Sequence, residues 1–425
     1  MTEQLARSTI RKVSWHLMPL LCAVYVIAYI DRQNISFAKL QMVEDLGMSE
    51  AAYGFGAALF FIGYCIFEIP SNILLERVGA RVWFARIMAT WGAVTIALGF
   101  VSSPTSFYLL RFLLGIAEAG FFPGVLYTLT LWFPQQHRAR GVGVFMIASA
   151  VANAVGAAVG GALLDLDGLA GLRGWQWVFV ATGVPALIMA PVVLLFMPQG
   201  PAQARWLSPA EKRWLSQEVD NGAPVDRHAS PLSALVDGRV LLLSACFFGF
   251  PMAAYGLSYW LPTIVRGFGV GNTANGLLNV IPWIAVGLTL WWVPRRAAAA
   301  PATQQHWYII APALLGALLL MVALLVPSNV VQFIALCLAA ACIFSAQPTF
   351  WSLPSRFLHG SAAAAGFAAI NSVGNLGGFA AQTLVPRVRD ATNSDLAPMV
   401  LLAAALVVAS ILVLATFRRL PQPGE

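Results

Sequence analysis

The chain has 425 residues, of which 59% are hydrophobic and only 10% charged, and its formal net charge is +7. A soluble domain carries about 25% charged residues, so the composition excludes a soluble enzyme or nucleic-acid-binding module and specifies a polytopic membrane protein. The positive excess is a topology signal, because it gathers in alternate connections rather than on one patch.

Twelve apolar segments recur, near 16–38, 52–75, 82–101, 105–130, 140–165, 174–197, 239–264, 273–293, 306–326, 329–353, 361–386 and 396–417. Each is close to the ~20 residues an α-helix needs to cross the hydrocarbon, the longer ones being tilted. The expected fold class is an all-α membrane protein of twelve transmembrane helices in two six-helix halves, 1–197 and 239–425, joined by a cytoplasmic linker, 198–238. With the N-terminus in the cytoplasm, that side collects Arg7, Arg11, Lys12, Arg77, Arg81, Arg86, Arg138, Arg140, the basic residues of the linker, Arg239, Arg295, Arg296, Arg356, Arg418 and Arg419. The other side holds Lys39, Arg173, Arg266, Arg387 and Arg389. This asymmetry puts both termini inside. The first apolar stretch is too long for a signal-peptide core and lacks a small-residue cleavage site, so helix one is expected to stay attached.

Five ionisable residues fall inside the apolar segments, all in the first third of the chain: Asp31, Arg32, Glu68, Arg111 and Glu118. A charge near the bilayer centre costs about 2.5–3.5 kcal/mol on insertion scales, so such residues normally face a wet cavity or one another. On helix one, Tyr25, Tyr29 and Arg32 share a face at i, i+4 and i+7, with Asp31 about 100° round. Arginine grips a carboxylate through a planar fork and keeps its charge. Aspartate exchanges a proton where burial raises its pKa. The alternative is that Asp31 and Arg32 only hold helices together, although buried ion pairs are a poor source of stability.

On helix two, Glu68 shares a face with Tyr64 but precedes IPSN near the cytoplasmic end, where a loop arginine is its expected partner. The following turn runs from Asn72 through Glu76, Arg77 and Gly79 to Arg81. On helix four, Arg111 and Glu118 are two turns apart on one face, and Gly120, Pro123 and Gly124 loosen the helix beside Glu118. No histidine lies deep in the membrane, so carboxylates must carry any coupled proton. Small residues crowd 150–164 and 374–382, which permits close helix contact. Within the linker, Ser208, Pro209 and Glu211 form a capping-box pattern. It opens either a short amphipathic helix, with Trp206, Trp214 and Leu215 at the membrane surface, or a solvated connector.

The C-terminal half has no charge deep in the membrane. It offers Tyr255, Ser258, Tyr259, Trp260, Trp351, Ser352, Asn371 and Asn375, which suit the uncharged part of a solute. The N-terminal half therefore binds charge and the C-terminal half reads the rest. The five cysteines, Cys22, Cys65, Cys246, Cys337 and Cys342, all lie in apolar segments without a CxxC pair and are expected to be unbridged. No metal-ligand spacing or GxSxG nucleophile motif occurs, so neither an enzyme nor a cofactor is expected.

The turn at 72–81 resembles the cytoplasmic signature loop of the major facilitator superfamily, with Asn72 where glycine is usual and Glu76 where aspartate is usual. Further blocks resemble one branch of it, the anion–cation symporters: YIDRQNISFA (29–38), GYCIFEIPSNILLERVGARVW (63–83), LRFLLGIAEAGFFPGVLY (110–127), LWFPQQHRARG (131–141), LDGLAGLRGWQWVF (166–179), YGLSYWLPTIV (255–265) and AAINSVGNLGGF (368–379). GIAEAGFFPG and GWQW look most like the permeases for hydroxyphenylacetate, phthalate and tartrate.

The resemblance implies the major facilitator fold and proton-driven uptake of a small organic anion by rocking halves. Arg32 would grip the substrate carboxylate, Asp31 and Glu118 would be the protonated pair, and Tyr29 and Tyr64 would line the site. Asn375, or else Asn371, would be the C-terminal polar contact. Tyr25, Tyr255 and Trp351 join the expected substrate site from the residue reading, Arg111 supplies supporting charge, and Glu76, Arg77, Gly79 and Arg81 form the expected gating loop. The expected partners are the organic anion, protons and the lipid bilayer, without nucleic acid. A monomer in a bacterial inner membrane is expected. An exchanger or uniporter of the same fold is the alternative. Two departures touch gating: Ala381-Gln382 stands where many relatives have Gly-Pro, and the loop after helix eight, WWVPRRAAAAPATQQHW, has no acid and no Gly-x-Arg.

Overall fold

In hydrocarbon, backbone amides have no water to bond, so long apolar runs close their hydrogen bonds within themselves as helices. Every long element among the described residues is helical. The computed structural model describes residues 2–221, 237–351, 353–354 and 360–417. The sequence-predicted Ser352 and part of the linker lie outside them.

The N-terminal half comprises α1 (Thr2–Asp45), α2 (Glu50–Val78), α3 (Ala80–Leu98), α4 (Pro104–Glu118), α5 (Phe121–Trp132), α6 (Gln135–Leu164) and α7 (Gly174–Phe196). After the linker helix α8 (Pro209–Asn221) come α9 (Gly238–Arg266), α10 (Asn272–Leu278), α11 (Val280–Ala299), α12 (Trp307–Leu325), α13 (Asn329–Phe350), α14 (Gly360–Thr392) and α15 (Pro398–Phe417). Among the described residues, ten stretches are long and apolar enough to cross a bilayer, with α4–α5 and α10–α11 each counting as one. The less apolar α3 and α14 complete the alternation between two faces. The face on which α1 begins and α15 ends is termed the terminal face, and the opposite one the far face.

Within the halves, α1 packs on α6 and α7, α2 on α4, and α3 on α7, while α9 packs on α14 and α15, and α13 on α11 and α12. Across the halves, α2 meets α14, α6 meets α10 and α11, and α1 meets α9. The α6–α10 crossing is close because Gly161 and Gly276 face each other. A Cβ on Gly161 would stand 2.5 Å from the Asn272 carbonyl oxygen.

Two elements differ from the sequence reading. Helix α1 starts at Thr2, well before the apolar stretch. Its polar first turns serve as a dock for α8: Lys12 Nζ lies 2.9 Å from Glu211 Oε1, and Ser8 Oγ donates to the same oxygen at 3.2 Å. Glu211 also caps its own helix, accepting from Ser208 N at 2.8 Å. Burial pushes the Glu211 carboxyl up, but the Lys12 and Ser208 bonds outweigh it and hold the group below the usual carboxylate range. The residues expected at the membrane surface turn inward: Leu215 is fully buried, and Trp206 stacks on His16 and Trp132.

The second difference is helix four, which is two helices. Ala119 leaves the helical region and Gly120 adopts a left-handed φ of 82°. Only glycine takes that conformation without cost, and a Cβ there would lie 2.4 Å from Ser71 Oγ. Ser71 Oγ instead donates to the Ala119 carbonyl at 2.6 Å. The break leaves Glu118 as the last residue of α4.

The GWQW block is a staple of the far face. Trp175 N donates to Gln41 Oε1 at 3.0 Å, Trp175 Nε1 to Asp45 Oδ2 at 2.8 Å, and Gln176 Nε2 to the Gly99 carbonyl at 2.7 Å. The start of α7 is thereby tied to the ends of α1 and α3.

Candidate functional site

Between the halves lies a cavity of about 170 Å³. Tyr25, Tyr29, Arg32, Phe60 and Tyr64 line it from the N-terminal half, and Tyr255, Trp351, Asn371 and Asn375 from the C-terminal half. The sequence reading assigned eight of these nine, Phe60 excepted, to a substrate site. Among the described lining residues, Arg32 is the sole charged group.

Arg32 projects from the middle of α1 into a cage of rings, its guanidinium carbon 5.3 Å from the Tyr29 centroid, 5.7 Å from Tyr64 and 5.8 Å from Phe60. Ring faces attract a cation and shield it from lipid. Arg32 Nε donates to Glu118 Oε2 at 3.2 Å. Glu118 is 2% exposed, and its other oxygen, Oε1, is buried without a hydrogen-bond partner. Burying an ion is unfavourable unless its remaining lone pairs are satisfied, so the Arg32 bond is a main compensation for the burial of this carboxylate.

Asp31 does not line the cavity. It points behind the wall, 1% exposed, accepting from Asn34 Nδ2 at 3.0 Å and Thr95 Oγ1 at 3.2 Å. Asn34 links this group to Thr182 of α7. Adjacent residues on one helix thus serve opposite sides of α1. Arg111 makes no ion pair among the described residues. Its Nη2 donates to the Ala57 carbonyl at 2.9 Å, and its guanidinium lies 5.2 Å from the Phe60 ring. Glu76, Arg77, Gly79 and Arg81 lie at the α2–α3 turn on the terminal face and do not line the cavity.

Three features escape the sequence reading. Glu68 does not meet a loop arginine: it accepts from Asn371 and Ser372 of α14. Lys39, taken for an outer basic residue, is 2% exposed. Its Nζ lies 2.8 Å from Glu50 Oε2 and 3.2 Å from the Trp260 ring centroid, and it donates to Thr263 Oγ1 at 3.1 Å. Gln33 and Asn153 also line the cavity, joined at 2.8 Å. The one signal for Asn153 was its polarity within an otherwise small and apolar run.

The halves are fastened at the far face. Lys39 joins α1 to α9, Arg266 Nη1 donates to the Leu40 carbonyl, and Asp165 at the end of α6 accepts from Asn272 Nδ2 at 2.9 Å and Thr273 N at 3.1 Å, as well as from the Thr273 hydroxyl. The Thr273 hydroxyl, then the Asn272 amide and Thr273 N–H, outweigh burial and hold the Asp165 carboxyl below its usual range. A depressed carboxyl contributes fully above its unfolded value and is lost as pH falls through the folded one. The far-face closure is therefore expected to be flat at neutral pH and to loosen only below about 3.9, the ordinary aspartate value. Asp165→Ala is expected to reproduce that loosening at pH 7, read as faster labelling of a far-face cysteine. Unchanged labelling would remove Asp165 from the closure.

Two helical halves around a central cavity are the architecture of a membrane transporter. The chain belongs to the Major Facilitator Superfamily, whose family model matches residues 21–382. A protein of Acinetobacter baumannii named quinolone resistance transporter is 43% identical, over 97% of this chain and 96% of its own length. A protein of Agrobacterium vitis that bears the name of a tartrate transporter is 40% identical, over 100% of this chain and 98% of its own. In fold, the chain is similar to a bacterial homologue of the human lysosomal transporter Spinster, solved inward-facing and unoccupied. The TM-score is 0.75 at 18% identity, covering 96% of this chain and 97% of that one.

Proposed function

We propose that this protein is a proton-coupled symporter that takes up a small organic carboxylate by alternating access. The observation that supports it best is Arg32, the one charged group among the described lining residues, held by a buried carboxylate that is otherwise under-satisfied. A solute carboxylate competes with Glu118 for the guanidinium. Once Arg32 turns to the solute, Glu118 loses its hydrogen-bonded counter-ion, and taking a proton is its least costly course. Binding of the anion and uptake of the proton are then one event. Asp31 is the second proton site, close enough to the same helix segment to respond to the charge on Arg32.

Tyr25, Tyr29 and Tyr64 hold the charged end of the solute, while Tyr255, Trp351, Asn371 and Asn375 read its uncharged part. Arg111 lends supporting positive charge. The turn at Glu76, Arg77, Gly79 and Arg81 acts in gating. The basic bias of the terminal-face connections supports a cytoplasmic orientation for that face, in a bacterial inner membrane. One relative is named for tartrate and another for quinolone resistance, and both kinds of compound carry a carboxylate.

Import of a monoanion alone is opposed by an inside-negative potential, at about 2.3 kcal/mol per charge per 100 mV. One proton makes the cycle electroneutral and a second makes it potential-driven. Two proton sites give an expected stoichiometry above one for a monoanion. Uptake into proteoliposomes with pH gradient and voltage varied separately tests this. An inward proton gradient is expected to drive accumulation, and an inside-negative voltage to increase it. Uptake indifferent to the proton gradient would sink symport in favour of exchange.

A further inference from the structure

Glu68 is a buried carboxylate that the exchange at Arg32 does not use. It is 1% exposed, and among the described residues it makes no ion pair. Its Oε1 accepts from Asn371 Nδ2 and its Oε2 from Ser372 Oγ, each at 2.9 Å. Two neutral donors are thin compensation for a desolvated carboxylate. Both donors belong to the opposite half, and Asn371 also lines the cavity. One turn back on α2, Cys65 Sγ donates to the Ser372 carbonyl at 3.5 Å. Every other cross-half hydrogen bond among the described residues lies nearer the far face, so this seam is the terminal-side fastening of α2 to α14.

We propose that Glu68 is an internal anion: with no solute present it occupies Asn371 and Ser372 and holds the two halves together, and an incoming solute must displace it to use Asn371. The inference rests on the carboxylate-transport reading above and adds a self-competing contact to it. Glu68 and an acceptor group of the solute compete for the same Asn371 N–H, and the charge of the solute repels Glu68 besides. The fraction of molecules in which Glu68 holds Asn371 then sets how far the apparent affinity falls below the intrinsic one.

Glu68→Gln keeps the shape but removes the charge, so its bonds to Asn371 and Ser372 become neutral ones, about half as strong. It is expected to lower the Kd for tartrate, used as probe beside benzoate, by about tenfold. Without solute, it is expected to speed alkylation of the native Cys65 by N-ethylmaleimide several-fold, read by mass spectrometry. Saturating tartrate is expected to do the same in the wild-type protein. Asn371→Asp sets a second carboxylate against Glu68, so it is expected to open the seam likewise, and it serves should Glu68→Gln fold poorly. Cys65 labelling unchanged in both variants, or tartrate bound no more tightly by Glu68→Gln, would overturn the proposal. Should the wild-type protein bind neither probe, the transport reading and the displacement fall together, while labelling without solute still decides whether Glu68 holds the seam.

Discussion

Arg32→Lys is expected to weaken carboxylate binding by about ten- to a hundredfold, the worth of a charged hydrogen bond, in a protein that still folds. Arg32 Nε donates to Glu118 Oε2 at 3.2 Å, and the guanidinium has further N–H donors to offer a solute. Lysine carries a point charge without the fork, so it cannot hold Glu118 and orient a carboxylate at once. It does keep a counter-cation beside the buried Glu118, which is why the fold should survive. Arg32→Ala is the poorer test. Breaking a buried ion pair by removing one partner costs about 3–5 kcal/mol, so lost binding could not be told from lost folding. Binding of tartrate and benzoate by calorimetry, with thermal unfolding as the control, measures the effect. Near-normal affinity in the lysine variant would remove Arg32 from the role of anion anchor.

Glu118→Gln is expected to lower accumulation against a gradient sharply, moving the inside-to-outside ratio towards unity, while counterflow of labelled solute continues. The amide oxygen can still accept from Arg32 Nε, so the cavity keeps its shape. What is lost is the change in charge. In the proposed cycle a loaded carrier reorients with Glu118 neutralised. In the variant the group is always neutral, so the two directions of movement are no longer tied to the proton that Glu118 carries. Asp31→Asn extends the test to the group behind the wall, where Asn34 and Thr95 donate to the carboxylate. Accumulation that persists in both variants would place the coupling sites elsewhere.

The two variants differ in what they disturb, and the difference follows from the break between α4 and α5. Glu118 ends a half-helix at a left-handed glycine, with one carboxylate oxygen bonded to Arg32 and the other without a partner among the described residues. Asp31 sits mid-helix, with Asn34 donating to one of its oxygens and Thr95 to the other.

Much of this was legible in the chain because it depends on local order. Apolar length alone demands helices, and the rarity of intramembrane charge singles out Asp31, Arg32, Glu68, Arg111 and Glu118. Helical spacing puts Tyr25, Tyr29 and Arg32 on one face, and the three line the cavity together. Gly120 and Pro123 announce irregularity beside Glu118, although not that the helix divides. What spacing leaves open is which neighbour a face meets. Glu68 lies one turn from the cavity-lining Tyr64, yet its partners stand about 300 residues away on α14, fixed by the packing of one half on the other. Lys39 reads as an outer charge because it ends an apolar run, and it is buried only because Trp260 and Thr263 of α9 close over it. The same holds for Asp31 and Arg32. A turn of 100° per residue sends them to different sides of α1, but only the arrangement of α3, α4, α7 and α14 around that helix makes one side a wall and the other a cavity.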